Sequence, residues 1–412
     1  MLKITGVQAF LLSYPFEPPI RLVYHGGERT IFKRDAMLIR VETDKGIVGY
    51  APGQGSETAK QAIDQQVAPF LTGRNLGDPD ALRVLFQKQA VNEHALKMYC
   101  AVEIALLDIL GKAKGLPVSE LIGGRVRDRI RLYGSAGMYM DPEQYAEEAA
   151  AVAELGFRAY KMRPARGPED DLRSVKLMRE AVGPSVDLMV DGHTWWRMGD
   201  KSYSRETVQR LAEQFAEFDI AWLEEPMPPE DHDAYRGLKE HNFVSVASGE
   251  HEPNEAGFMD LILTSAVDYV QMDVVCQGGF NTARRLMPEI ANAGLKFAFH
   301  CWGTDLEVAA SAQLGICWPE TVVEWLEYPC YATATSNVMY PFPVAQDILA
   351  EPLSIKDGEL VVSREPGLGV RVNESVIERY PWIPGPWSSF TLESPKGTWN
   401  VTGDHAVRWA NQ

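Results

Sequence analysis

The sequence predicts an α/β protein: a parallel (β/α)8 barrel preceded by a separate α+β domain. Three observations carry that reading. From about residue 130 onward, eight apolar runs of strand length alternate with helix-like segments, the rhythm of a parallel barrel rather than an open sheet. Successive runs end in an ionisable residue at intervals of about one βα unit. The first 122 residues lack this alternation, reading as strands and turns to about 60 and as helix beyond.

Residues 3–14, 35–44 and 45–53 show partial alternation broken by turn residues. Residues 92–115 place apolar side chains at helical spacing and stop at Gly115. Barrel strands are expected at 131–137, 159–163, 187–192, 221–226, 244–250, 269–274, 296–301 and 321–327. Between the first two, 141–156 opens on Asp141 as N-cap, with Pro142 at the first helical position and Gly156 as the stop. Ser204 opens the helix 204–218, and 281–294 and 305–315 supply later helices. Pro288 is expected to kink or offset the first of these two. Beyond about 336 the alternation ends, and a stretch rich in Pro, Gly and Trp reads as irregular chain packed on other parts.

At 412 residues the chain is long enough for a second domain, since such a barrel takes about 250 residues. Its 45% hydrophobic and 24% charged composition is that of an ordinary globular protein. No apolar run approaches the ~20 residues of a membrane span, and the first residues lack the features of a signal peptide. The formal net charge of −17 argues against a nucleic-acid partner. It leaves room for a small anion, which responds to the local field of a cleft. Cys100, Cys276, Cys301, Cys317 and Cys330 are odd in number and contain no CxxC pair. Neither a disulfide framework nor a zinc site is expected, and a reducing cytoplasm fits best. Cys301 reads as a small buried residue beside His300.

Asp191, Glu224 and Glu250 end three successive strands, 33 and 26 residues apart. In a closed barrel the strand ends meet on one face. Three carboxylates in a poorly solvated site repel one another, and a divalent cation removes the repulsion. All-oxygen ligation suits Mg²⁺. The series continues in both directions. Lys161, with Arg163 two residues on, lies 30 residues before Asp191, and Asp273 lies 23 after Glu250. His300 and Glu327 follow at intervals of 27 each.

This ordered set resembles the enolase superfamily, most closely its mandelate racemase subgroup, over nearly the whole chain to about Tyr380. The resemblance rests on Lys161-Met162-Arg163, Asp191, Glu224 within WLEEP, Glu250 within GEH, Asp273 followed by Gly278-Gly279, His300 and Glu327. It implies a modified (β/α)8 TIM barrel under an α+β capping domain built from N- and C-terminal segments. The expected divisions are 1–125 for the cap, 126–335 for the barrel and 336–412 for a segment returning to the cap, with an extension after about 380. Loops near 14–34 and 50–56 would close over the site, making Tyr24, His25, Arg34 and Gln54 candidates for substrate contact. The resemblance further implies one Mg²⁺ per subunit on Asp191, Glu224 and Glu250, and a homo-oligomer such as a dimer or octamer.

The step shared by such a family is removal of a proton α to a carboxylate, with the cation stabilising the resulting enediolate. His300 is the candidate general base or acid, with Asp273 fixing its tautomer and raising its basicity. Glu327 would hydrogen-bond the substrate carboxylate or enediolate and helps best if protonated, a state that a crowded acidic site favours. Glu225, beside a ligand, is expected to orient groups around the metal. The usual family motif is Lys-x-Lys, its second lysine a base facing the histidine. Here that position is Arg163, a poor base that still makes a good fork for a carboxylate. Racemisation needs a base on each face, whereas β-elimination proceeds with one. The expectation is therefore dehydration of a sugar acid, an aldonate or aldarate, to a 2-keto-3-deoxy acid. Lys161 remains open as a base from the other face. His193, His251 and Trp302, with Trp195 and Trp196 nearby, supply hydrogen bonds and an aromatic wall suited to a polyhydroxylated substrate. The alternatives are a racemase, epimerase or cycloisomerase using the same enediolate, and a non-catalytic barrel. The last predicts losses among the ligands or the dyad, and none is missing.

Overall fold

The computed structural model describes residues 2–24, 27–333, 339, 341–394 and 397–402. The chain opens with an antiparallel hairpin of β1 (Leu2–Tyr24) and β2 (Gly27–Thr43), in which Tyr24 faces Gly27. β3 (Val48–Gly53) pairs with β2, and β4 (Asn75–Leu76) with the start of β1. Of residues 14–34, expected as loop, 14–24 and 27–34 instead continue the hairpin, with a register break between Pro15 and Ile20. Pro15, Pro18 and Pro19 hide that strand in the sequence, because proline cannot donate to a ladder.

The helix Glu93–Lys114 is held at its start by Asn92, whose side chain accepts from Ala95 N at 2.8 Å. It ends where Gly115 adopts φ 68°, a conformation that costs glycine nothing. It packs on β3 and on the helix Gly279–Asn292, joining the first sheet to the barrel.

The barrel strands are β5 (Arg129–Met138), β6 (Ala159–Arg163), β7 (Asp187–Asp191), β8 (Ile220–Glu224), β9 (Val246–Ser248), β10 (Tyr269–Met272), β11 (Lys296–Phe299) and β12 (Val323–Pro329). Each is parallel to its neighbour, and β12 pairs back on β5 to close the ring. Eight side chains, one per strand, fill the interior: Tyr133, Ala159, Met189, Trp222, Ala247, Tyr269, Ala298 and Trp325. Large and small residues interleave there, so the barrel has a packed core and no pore. This layer sets the phase of the site, because side chains alternate faces along a strand. Lys161, Asp191, Glu224, His300 and Glu327 each stand two residues past a member of the layer, toward the C-terminal mouth. Glu250 stands three past Ala247, and Gly249, at φ 138°, resets the alternation.

The expected helices form, with a capping box between Asp141 and Gln144 and a Ser204 cap. Pro288 lies inside the helix Gly279–Asn292. The remaining strands are β13 (Ile355–Lys356), β14 (Glu359–Val361), β15 (Ser388–Ser394) and β16 (Gly397–Thr402). β14 adds antiparallel to β5, whereas β15 adds to the far end of β2 and carries β16 outward. Residues 388–394 and 397–402, expected as irregular, are therefore paired antiparallel strands. The first of them pairs with a strand more than 350 residues away in sequence, beyond the reach of local pattern.

Candidate active site and metal centre

The ends of β6, β7, β8 and β12 bring Lys161, Arg163, Asp191, Glu224 and Glu327 into one buried cluster. Lys161 Nζ lies 2.5 Å from Glu224 Oε1, 3.0 Å from Glu327 Oε1 and 3.8 Å from Asp191 Oδ2. Arg163 Nε lies 3.1 Å from Asp191 Oδ2, and its Nη2 donates to Glu327 Oε1 at 3.1 Å. The Arg163 guanidinium also lies 3.8 Å from the centre of the Trp302 ring. Burial pulls the Lys161 ammonium down, but Glu224, Glu327 and Asp191 together raise it above its ordinary value. Lys161 is thus held charged.

Across the mouth, His300 Nδ1 lies 3.0 Å from Asp273 Oδ2, and Nε2 lies 3.2 Å from Glu250 Oε2. The other Asp273 oxygen accepts from Val275 N at 2.7 Å and Cys276 N at 2.9 Å. Asp273 is thereby fixed as an acceptor, so Nδ1 of the imidazole carries a proton. Burial lowers the His300 value, but Glu250, Glu327 and Asp273 hold it well above 6.5. His300 keeps 18% of its side chain exposed, whereas Lys161 is fully buried. Of these two, the histidine is the one that a solute can reach.

Glu327 corrects the expectation of a protonated carboxyl. Burial raises it, but Lys161, His300 and Arg163 hold it down at about 2. Cys301 N donates to its Oε2 at 2.8 Å. Three cations around one carboxylate outweigh the neighbouring acids, and the sequence could not show that they converge.

Oxygen atoms of Asp191, Glu224 and Glu250 all lie within 4.8 Å of one another, a group able to hold a metal ion. Asp191 Oδ2 and Glu250 Oε2 are buried and accept no hydrogen bond. Burial pushes the Glu224 carboxyl up to about 8, against the pull of Lys161. Arg163 and Lys161 face Asp191 Oδ2 and His300 faces Glu250 Oε2, yet these buried acceptors and the suppressed Glu224 carboxylate leave a place for a further positive charge. The donors are all oxygen, so the residues fit a hard divalent cation. A second group, Glu225, Glu250 and His251, lies alongside. His251 Nδ1 lies 2.6 Å from Glu225 Oε2, and its Nε2 contacts Arg197.

His193 Nδ1 lies 2.7 Å from Asp191 Oδ1, so this imidazole is tied to the acidic cluster. Tyr24 is buried, its hydroxyl donating to Arg197 O at 3.4 Å and its ring edge-on to Tyr139 and Phe390. Arg34 is buried 4.6 Å from the Trp387 ring. Gln54 is exposed, and His25 lies outside the described residues. Sequence reading missed Trp222, whose Nε1 donates to Glu224 Oε2 at 2.9 Å. Its position two residues before Glu224, on the same face of the strand, was the available signal.

A carboxylate triad and a His–Asp pair at the mouth of a parallel barrel define a class of enzymes that act on carbon acids. Comparison with known proteins places the chain within that class. The N-terminal domain of the mandelate racemase / muconate lactonizing enzyme family matches residues 14–123, and the enolase C-terminal domain-like family matches 144–376. The chain belongs to the mandelate racemase/muconate lactonizing enzyme family of the enolase superfamily. It is 29% identical to the D-galactarolactone cycloisomerase of Agrobacterium fabrum, over 92% of this chain and 99% of that protein. It is 30% identical to the D-xylonate dehydratase of Haloferax volcanii, over 84% of this chain and 85% of that protein. Among solved structures it resembles a candidate mandelate racemase from Bordetella bronchiseptica RB50 complexed with 2-oxoglutarate/phosphate. The TM-score is 0.81 at 26% identity, covering 94% of this chain and all of the other.

Proposed function

We propose that the protein is a Mg²⁺-dependent hydro-lyase that dehydrates a sugar acid to a 2-keto-3-deoxy acid. The observation that carries this is the one-sidedness of the site. On one side stands the His300–Asp273 pair, with Nε2 3.2 Å from Glu250 Oε2. On the other, Arg163 is committed to Asp191, Glu327 and Trp302, and Lys161 is held charged by three carboxylates. A single residue can take the α-proton and then protonate the leaving hydroxyl, so elimination fits one base where racemisation needs two. Relatives named as sugar acid dehydratases support the same reading.

Asp191, Glu224 and Glu250 would hold Mg²⁺, which when bound supplies stabilisation for the negative charge that develops on the substrate carboxylate. His300 Nε2 takes the α-proton, and the electron pair of that C–H bond forms the C–C double bond as the β C–O bond breaks. The resulting imidazolium, stabilised by Asp273, gives the proton to the departing hydroxyl, and water leaves. The enol product then tautomerises to the 2-keto acid. Lys161 and Arg163 supply positive charge to the carboxylate end, and Glu327, ionised between them, holds the two cations in place. Glu225 and His251 would steady Glu250, which lies 3.3 Å from His251 Nδ1.

Cycloisomerisation is the second reading, favoured by the full-length match to the Agrobacterium enzyme. The deciding experiment incubates the Mg²⁺-loaded protein with a stereochemically complete panel of mono- and diacid sugars and assays 2-keto acid. A hit that EDTA abolishes supports dehydration. Consumption of a lactone without keto acid, or deuterium entering recovered substrate, defeats it. We also propose a symmetric homo-oligomer and a cytoplasmic setting. The five cysteines carry no disulfide, and no helix among the described residues is long and apolar enough to cross a membrane.

A further inference from the structure

Gln277 has no part in the chemistry above, yet its side chain joins the two residues that bracket the base. It is buried in the turn between β10 and the helix Gly279–Asn292. Its amide oxygen accepts from Asp273 N at 2.7 Å, and its backbone N–H donates to Asp273 O at 3.0 Å. Its amide nitrogen donates to Gly249 O at 3.0 Å and also to Glu250 O. One buried amide is therefore satisfied at both ends by backbone, on the ends of two neighbouring strands. An amide carries a donor and an acceptor side by side, so it can span such a pair where an apolar side chain of the same length cannot.

The bridge stands where the sheet stops. The ladder between β9 and β10 ends with Ser248 paired to Val270. Gly249, at φ 138°, then takes the chain out of strand geometry, and Gln277 holds the next two carbonyls. The turn that carries Gln277 is itself pinned. Gly278 and Gly279 adopt φ 120° and 70°, and a Cβ on Gly279 would meet Cys100 O at 2.7 Å, so the turn rests on the backbone of the helix Glu93–Lys114. The side chains of the two bridged residues meet again on His300. Nε2 lies 3.2 Å from Glu250 Oε2, and Nδ1 lies 3.0 Å from Asp273 Oδ2. Glu250, His300, Asp273 and Gln277 thus close a ring.

We propose that Gln277 is a positioning residue that ties the metal ligand Glu250 to the Asp273 that orients His300, and so sets the separation between the cation and the base. This deepens the dehydratase reading and rests on its metal site and its base. The α-proton must be taken while the charge left behind meets the cation, so both groups must be aligned on one substrate at once. A misplacement of about 1 Å in such an arrangement costs on the order of 10²-fold in rate.

The test is calorimetry of Mg²⁺ binding at fixed pH, with NMR of the histidine ring nitrogens, those of His300 being the signals lost in His300→Asn. Gln277→Met keeps the length of the side chain and removes its hydrogen bonds. It should weaken Mg²⁺ binding by about tenfold and shrink the change that saturating Mg²⁺ causes at His300. Gln277→Asn, one methylene short, reaches one partner at a time. It should show both effects in smaller measure, and it decides the matter if Gln277→Met does not fold. Gln313→Met removes a comparable buried bridge, from Ser119 N to Leu368 O, between segments that carry no site residue. It should lower Tm and leave Mg²⁺ binding unchanged. The proposal is overturned if the Gln277 variants bind Mg²⁺ and respond at His300 as wild type does, or if Gln313→Met weakens binding as much. A wild type that binds no Mg²⁺ removes the dehydratase reading and the proposal together. A silent sugar-acid panel with both effects present would remove the dehydratase reading and leave the tie standing.

Discussion

His300 is the residue on which the chemistry turns. Replacing it with Asn keeps the shape and removes the base, so turnover should fall by about 10²–10⁴-fold while Mg²⁺ binding, read by calorimetry, persists. Its titration is tied to the metal. Without a cation, Glu250, Glu327 and Asp273 raise its value well above 6.5. The stability this contributes is complete below 6.5 and is lost as pH rises through the raised value. A cation on Glu250 cancels part of that field, so the His300 midpoint, followed by NMR, should fall when Mg²⁺ is added. An unchanged midpoint would place the cation elsewhere. Arg163 allows a converse test. Arg163→Lys restores the usual family pair but loses the stack on Trp302 and the fork on Asp191 and Glu327. Dehydration should weaken by about tenfold, one fork's worth of geometry. Deuterium should begin to enter recovered substrate if the new amine reaches the opposite face.

At the scale of elements, two features of the chain tune the scaffold. The helix Glu93–Lys114 buries Glu103 with neither carboxylate oxygen hydrogen-bonded, and burial raises its value to about 8. A carboxyl neutral in the folded state and ionised in the unfolded one lowers stability as pH rises. Here the loss runs from 4.5 to about 8. Glu103→Met should raise Tm at pH 8 and flatten its decline across that window in a thermal melt series. The turn after β9 depends on Gly249, whose φ of 138° excludes a side chain and whose Cβ would strike the Gln271 carbonyl. Gly249→Ala should displace Glu250 and weaken Mg²⁺ binding, with catalysis falling in parallel.

For the whole molecule, the acidic centre is a strain that a cation relieves. Mg²⁺ held by the folded chain alone should stabilise it by about 2.7 kcal/mol at a hundredfold excess over Kd. The rise in Tm should vanish in Asp191→Asn, and a rise that survives would mean that the stabilising site is not this one. The cap hairpin meets the barrel where Tyr24 donates to Arg197 O and Arg29 donates to Tyr139 OH.

Periodicity made the barrel legible, because each strand is a local apolar run and its phase puts every second residue inward. The site followed, since Lys161, Asp191, Glu224, His300 and Glu327 stand at the same step beyond that inner layer. What the sequence could not state was charge in three dimensions. Glu327 is ionised because Lys161, Arg163 and His300 converge on it from two other strands. Nor could it reveal the strand in 388–394, whose hydrogen-bond partner lies at the far end of the chain. Local pattern determined the elements and the residue types at their ends. Only the tertiary fold decided which charges meet, because Coulomb energy depends on distance in space and not on separation along the chain.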